Sequence, residues 1–197
     1  ADLNRLKGLE ITNNVHLLSH GIIDTIPNNN FLKSFYNKVK FNRVKRIASY
    51  GFCLPDKGFK ELIEAVGLLQ QTDLKLNLTV FSAIYSNQYE YVYQELIKLI
   101  ADLKLEKSVN VITDYKSDEE TINNLNQFDC LVFPYQHSNE SSSAAVRQGL
   151  ASLRPVLVTP LDIFSDVNDL VHHLPGFTPH EIADGIYQWF KTNDLQI

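Results

Sequence analysis

From Val44 onward, apolar positions recur along the chain with two alternating periods. Val44-Lys-Arg-Ile-Ala-Ser-Tyr50 reads as a strand ending at Gly51, after which Phe59, Leu62, Ile63, Val66 and Leu69 share one helical face. Residues 74–83 alternate, with Leu76, Leu78 and Val80 on one side and Asn77 and Thr79 on the other. Tyr89, Val92, Tyr93, Leu96, Ile100 and Leu103 then make a long helical stripe. Residues 109–112 form a third apolar strand. Ser117, with Glu120 three positions on, marks a capped helix running to Leu125. Strands at 129–134 and 155–159 bracket a helix that starts near Ser141. Thr178-Pro179-His-Glu181 supplies cap, first-turn proline and acid for a last helix carrying Ile182, Ile186, Trp189 and Phe190.

Five strands alternating with helices imply a parallel sheet covered on both faces, because parallel strands need crossover connections. The expectation is a doubly wound, Rossmann-like α/β domain over residues 44–197. Residues 1–43 differ. Their one apolar stretch, Val15-His-Leu-Leu18, gives way to Asn- and Lys-rich sequence, which reads as a linker or the remnant of another domain. No internal repeat or low-complexity segment is evident.

Composition narrows the class. A chain of 197 residues with 44% hydrophobic content can bury one sizeable core. A formal net charge of −5 argues against a general nucleic-acid surface. No apolar run nears the roughly 20 residues needed to span a bilayer, and the N-terminus lacks a signal-peptide pattern. Cys53 and Cys130 sit in apolar contexts and are too few for a disulfide framework, so a reducing cytoplasm is the default. Methionine is absent, even at position 1, which reads either as a fragment or as modified residues left out of the sequence.

Ligands of open α/β sheets bind at the carboxyl ends of the strands, and three such loops carry chemistry. In the first, residues 49–59, Gly51 leaves room for a ligand to approach the backbone and Lys57-Gly58 places an ammonium at a helix start. Neither a P-loop nor a strict Gly-x-Gly-x-x-Gly is present, and taken alone the loop reads equally as a tight turn. In the second, residues 135–149, Glu140 precedes Ser141, Ser142 and Ser143 at a helix mouth. Unpaired N–H groups and the helix dipole there suit a diphosphate. Glu140 cannot bind phosphate but can accept hydrogen bonds from sugar hydroxyls. A plain helix cap fits this spacing as well. In the third, residues 159–169, Asp162, Asp166 and Asp169 have turn and capping roles as their commoner use, and no metal is assigned. His16 and His20 lie about 13 Å apart in a strand, too far to share an ion. His172 and His173 are read as structural.

Together these loops resemble the C-terminal, donor-binding domain of GT-B glycosyltransferases, specifically glycosyltransferase family 4, over residues 13 to 190. "VHLLSHGI" is similar to that family's interdomain segment, and "GFCLPDKGFKELIEAV" to its Gly-Arg-x5-Lys-Gly loop and following helix. "FDCLVFPYQHSNESSSAAVRQGLASLRPVLVT" resembles the family signature: an aspartate before a buried strand, a glutamate, a helix, small residues, then Pro-Val. The resemblance implies transfer of a sugar from a nucleotide-diphosphate donor with retention, with no cofactor and no metal. It implies that Lys57 neutralises the leaving diphosphate, that Gly51 lets that group approach, and that Glu140 holds donor-sugar hydroxyls as catalytic partner of Lys57. Ser141, Ser142 and Ser143 fall where sugar and diphosphate meet the loop, and Ser82 and Tyr115 where the base would lie. The acceptor, which is unknown, would be held by an N-terminal half beyond this chain; any peripheral membrane association belongs to that half.

Two positions depart from the pattern. Phe52 stands where the family has an arginine on the diphosphate, and Gln148 replaces the second acid of Glu-x7-Glu, the one on the nucleotide ribose. Glutamine still accepts a hydroxyl hydrogen bond, at about half the strength of a charged acceptor. Arg147 either substitutes for the missing arginine or pairs with Asp162 or Asp166, and the pairing is preferred. These departures leave a second reading open, a degenerate GT-B domain that binds nucleotide without catalysis. An unrelated receiver-type domain would need an acidic cluster after the first strand, which "IASYGF" lacks.

Overall fold

The computed structural model describes residues 7–9, 21–23 and 44–194. The linker assigned to residues 1–43 otherwise lies outside the described residues, as do His16, His20 and most of the interdomain-like segment. The domain begins with β1 (Lys45–Tyr50), α1 (Phe59–Leu69), β2 (Leu76–Phe81), α2 (Glu90–Asp102) and β3 (Val109–Ile112). It continues with α3 (Asp118–Leu125), β4 (Cys130–Phe133), α4 (Ala144–Ala151), β5 (Val156–Val158), β6 (His172–His173) and α5 (Pro179–Asp194).

The strands form one parallel sheet in the order β3-β2-β1-β4-β5-β6. The sheet therefore has six strands, one more than the pattern predicts. The extra strand is two exposed histidines, with no apolar alternation to reveal it. His173 Nε2 lies 2.7 Å from Asn168 Oδ1, and the His172 ring packs near Trp189, so both histidines have structural roles.

Period-two alternation sends successive strand residues to opposite cores. Ile47, Leu78, Val80 and Val132 face Leu62, Ile63 and Val66 of α1, Leu96 of α2, and Ile182 and Ile186 of α5. Ala48, Leu131, Phe133 and Val158 face the other way, against Leu125 of α3, Val146 of α4 and Phe164. Each fully buried Leu, Ile, Val or Phe contributes about 1.5–3 kcal/mol of transfer free energy, so both helical layers are held chiefly by apolar contact.

The helix starts follow the sequence signals. Ser117 Oγ accepts from Glu120 N at 3.3 Å while Glu120 Oε2 accepts from Ser117 N at 3.1 Å, closing a capping box on α3. Thr178 and Glu181 repeat it at α5, at 3.3 and 3.0 Å. Asp129, buried before β4, accepts from Arg46 N at 2.7 Å and donates its own N–H to Arg46 O at 2.7 Å. This pins the start of β4 beside β1, where the strand order reverses.

Candidate functional site

A cleft of about 340 Å³ opens beyond the carboxyl ends of β1 and β4, at the crevice left where crossovers leave β1 and β4 in opposite directions. Its floor is the β1–α1 loop. Gly51 has φ +153°, which glycine adopts without the strain other residues incur, and its N–H donates to Phe81 O at 3.0 Å. A methyl group there would meet only Phe59 and Tyr135, at 3.9 and 4.0 Å, so the floor is left bare for a ligand.

Gly58 does the opposite work. At φ +72° it caps α1, and a Cβ would stand 1.8 Å from Pro134 O. Only glycine lets the β1–α1 loop press against the β4–α4 loop, and Gln136 N donates to Asp56 O at 3.0 Å across the same seam. Lys57 is held on this seam, at the end of the short 3-10 turn Pro55–Lys57. Its Nζ sits 4.1 Å from the Tyr135 ring centroid and 4.0 Å from Glu140 Oε2. Lys57 is only 15% exposed and Glu140 is 63% exposed, so the ammonium lies in the cleft wall and the carboxylate on its lip.

Tyr135, invisible to the sequence reading, organises the site. Its buried ring carries Lys57, and its hydroxyl lies 3.1 Å from Ser143 Oγ. Its carbonyl accepts from Thr159 Oγ1 at 2.6 Å. Ser143 is the N-cap of α4, accepting from Val146 N at 3.3 Å. Ser143, Ala144 and Ala145 line the cleft, which therefore faces the helix start with its unpaired first-turn N–H groups. A cation, a helix N-terminus and a carboxylate thus converge on one cavity.

The remaining assignments divide. Gly51, Lys57, Tyr115, Glu140, Ser143 and Gln148 line the cleft. Ser141 and Ser142 stand on the loop beside Glu140 and are not in the lining. Ser82 is misassigned: it is fully buried beside Cys53 on the far side of the sheet. The parity that buries Leu76, Leu78 and Val80 carries Ser82 with them, and Phe81 and Ala83 reach the cleft instead. Arg147 is also misassigned as a diphosphate ligand. Buried in α4, it points away, paired with Asp166 and donating to Ser143 O at 3.1 Å. The preferred pairing is the observed one, and Arg147 supplies no substitute for the missing arginine.

Phe52 lines the cleft mouth with its ring 5.4 Å from that of Tyr85, so an aromatic wall occupies the position of the lost cation. Gln148 does not simply offer its carbonyl: its Nε2 donates to Asp118 Oδ1 at 2.5 Å. Asp118, Tyr50, Thr121 and Lys116, none singled out from the sequence, also line the cleft. Burial pushes the Tyr50 hydroxyl above the ordinary tyrosine range, so it stays protonated and can donate. Among the described residues, no group of three or more His, Cys, Asp or Glu side chains is placed to hold a metal, and no helix is long and apolar enough to cross a membrane.

The fold is similar to a glycosyltransferase from Rickettsia africae ESF-5, with TM-score 0.75 and 17% identity over 98% of this chain and 51% of that one. This chain thus spans about half the length of that protein. The C-terminal domain of a glycosyl transferase group 1 family protein from Francisella tularensis aligns with TM-score 0.68 and 17% identity, over 88% of this chain and 90% of that one. Anabaena HepE, in complex with UDP and glucose, aligns with TM-score 0.65 and 13% identity, over 85% and 44%. At these identities the likeness is one of fold, the Rossmann-like half of a GT-B glycosyltransferase. No curated protein is matched. The sequence model of the glycosyl transferases group 1 matches residues 31–196, and the chain belongs to that family.

Proposed function

We propose that this chain is the donor-binding half of a retaining, metal-independent glycosyltransferase of family 4, acting on a nucleoside-diphosphate sugar. The observation that carries the reading is the convergence of the Lys57 ammonium, the N-terminus of α4 and the Glu140 carboxylate on one cleft. The chemistry follows from the charges. Breaking the anomeric bond leaves a nucleoside diphosphate with growing negative charge. Lys57, backed by the Tyr135 ring, and the α4 N–H groups stabilise that charge without rearranging. Glu140 repels phosphate, so it belongs on the sugar side, accepting hydroxyl hydrogen bonds. Gly51 keeps the floor open for the diphosphate. The acceptor would come from a second domain, and the complete active site would lie between the two.

A domain that binds nucleotide without transferring it is favoured by two observations: Phe52 brings no charge, and Arg147 is engaged by Asp166. Isothermal titration with UDP, GDP and ADP and their glucose, mannose and N-acetylglucosamine conjugates, without added metal, tests the site. The expected result is saturable binding of one nucleotide series. Glu140→Ala should weaken the nucleotide sugar and leave the bare nucleotide unchanged; equal effects on both would remove Glu140 from the sugar. Turnover by the full-length protein separates enzyme from binding module.

A further inference from the structure

A run of aromatic rings leads out of the cleft mouth and has no task in binding a nucleoside diphosphate. Phe52 lines the mouth with its ring centroid 5.4 Å from that of Tyr85, and the Tyr85 centroid lies 5.7 Å from that of Tyr89. Tyr85 touches both neighbours and is still 61% exposed, and Phe52 is 44% exposed, so the rings are not spent on the core. The backbone holds them in place. Cys53 N donates to Ala83 O at 3.0 Å, tying the β1–α1 loop to the β2–α2 loop. Tyr89 N donates to Ser86 O at 3.0 Å, closing the 3-10 turn Asn87–Tyr89. Rings fixed before a ligand arrives lose little freedom on binding it.

The surroundings select the occupant. Ser86, Asn87 and Gln88, between the two tyrosines, bring only neutral hydroxyl and amide groups, and both amides are exposed. No lysine or arginine occurs from residue 83 to residue 97, while Glu90 and Glu95 add negative charge. A phosphate or an anionic lipid surface needs cations and would meet carboxylates here instead. A neutral glycan fits both parts of the patch. A pyranose has a face of C–H groups, which the negative face of an aromatic ring attracts, and an edge of hydroxyls, which tyrosine hydroxyls and side-chain amides can meet. Continuity with the cleft says where such a chain leads, because Phe52 and Glu140 line the same cavity.

We propose that Phe52, Tyr85 and Tyr89 form a stacking surface for a neutral glycan acceptor, which lies along the rings and brings its terminal sugar to the cleft. The inference rests on the donor-binding reading of that cleft and gives its acceptor a chemical class. The donor half then shares with the second domain the task of holding the acceptor. Phenylalanine at position 52 also gains a use. Its ring extends the surface into the cleft mouth, which an arginine held on a diphosphate would not.

The test is saturation-transfer NMR titration of the full 197-residue chain with maltotetraose, cellotetraose, chitotetraose and mannotetraose, beside calorimetric titration with UDP, GDP and ADP. It is run on wild type, Tyr85→Ala, Tyr85→Phe, Tyr89→Ala and Phe52→Arg, with thermal melts to establish folding. At least one tetraose should bind, with saturation passing to the C–H groups of its sugar rings. Tyr85→Ala and Tyr89→Ala should each weaken it about fivefold, the worth of one aromatic contact, and leave nucleotide Kd as in wild type. Tyr85→Phe keeps the ring and should keep most of the affinity. Phe52→Arg should weaken the tetraose and tighten the nucleoside diphosphate. Absence of binding by every tetraose, or binding indifferent to Tyr85→Ala and Tyr89→Ala, overturns the inference; the donor reading stands as long as a nucleotide binds. Affinity for phosphatidylglycerol vesicles that Tyr85→Ala abolishes would make the rings a membrane surface, and a concentration-dependent dimer lost in the same variant would make them an interface between copies. Either result overturns the inference. Failure of wild type to bind any of the nucleotides overturns the donor reading and the inference with it.

Discussion

Removing the Lys57 ammonium should weaken diphosphate binding more than it weakens the fold. Lys57 Nζ lies 4.0 Å from Glu140 Oε2 and 4.1 Å from the Tyr135 ring centroid. A phosphate oxygen replacing Glu140 at that distance gains about 4 kcal/mol at an effective dielectric of about 20. The Tyr135 contact is kept in both states and cancels. The contact with Glu140, which is 63% exposed, is worth at most about 1 kcal/mol and is given up on binding. About 3 kcal/mol remains, or about 100-fold in Kd for Lys57→Ala. Stability loses the cation–π contact, about 1 kcal/mol, and at most about 1 kcal/mol from the exposed pair with Glu140. Titration of wild type and Lys57→Ala with the preferred nucleoside diphosphate, at low and physiological salt, reads both the loss and a flatter salt dependence in the variant. Wild-type affinity in a folded Lys57→Ala protein would refute the placement of the diphosphate.

Other substitutions separate scaffold from site. Gly58→Ala forces a Cβ to 1.8 Å from Pro134 O at φ +72°; it should cost about 2 kcal/mol or more, and an unchanged thermal midpoint would show that the loops are not pressed together. Arg147→Ala leaves Asp166, one-third exposed, without its guanidinium. It should cost about 1–3 kcal/mol in urea melts, below the range for fully buried pairs, and leave nucleotide Kd per folded molecule as in wild type. Hydrogen bonds from the Thr178 backbone N–H, then the Thr178 hydroxyl, hold the Glu181 carboxyl below the usual carboxylate range. Its contribution should therefore be complete above the unfolded value near about 4.3 and vanish as pH falls through the lower folded value. Glu181→Gln should flatten the acid limb of a pH–stability curve there, and an acid limb identical to wild type would show the cap to be inert.

What was legible in the sequence was local. Ser117 and Glu120, or Thr178 and Glu181, are close along the chain, so the cap can be read before the fold is known. Lys57-Gly58 and Glu140 stood out because strand-to-helix loops have a fixed relation to the sheet. Ser82 shows a local signal overlooked, since strand parity already put it with Val80 in the core. Tyr135 and Asp118 were not legible in the same way. Tyr135 reads as one more apolar residue after β4, and Asp118 as one of several acids in a helix's first turn.

The alternation of apolar positions by itself determined a parallel sheet with a helical layer on each face, because period and crossover length leave few other ways to bury those side chains. It also determined which loops would stand at the ligand-binding end. Only the tertiary structure decided what those loops bring together. Lys57 meets Tyr135 and Glu140, Gln148 meets Asp118, and Arg147 turns away to Asp166. Each of these pairings spans many residues and depends on ångström-scale distances set by how α3 and α4 pack over β1 and β4. Hydrophobic patterning fixes faces, but a charge chooses its partner by distance, and distance exists only once the layers have packed.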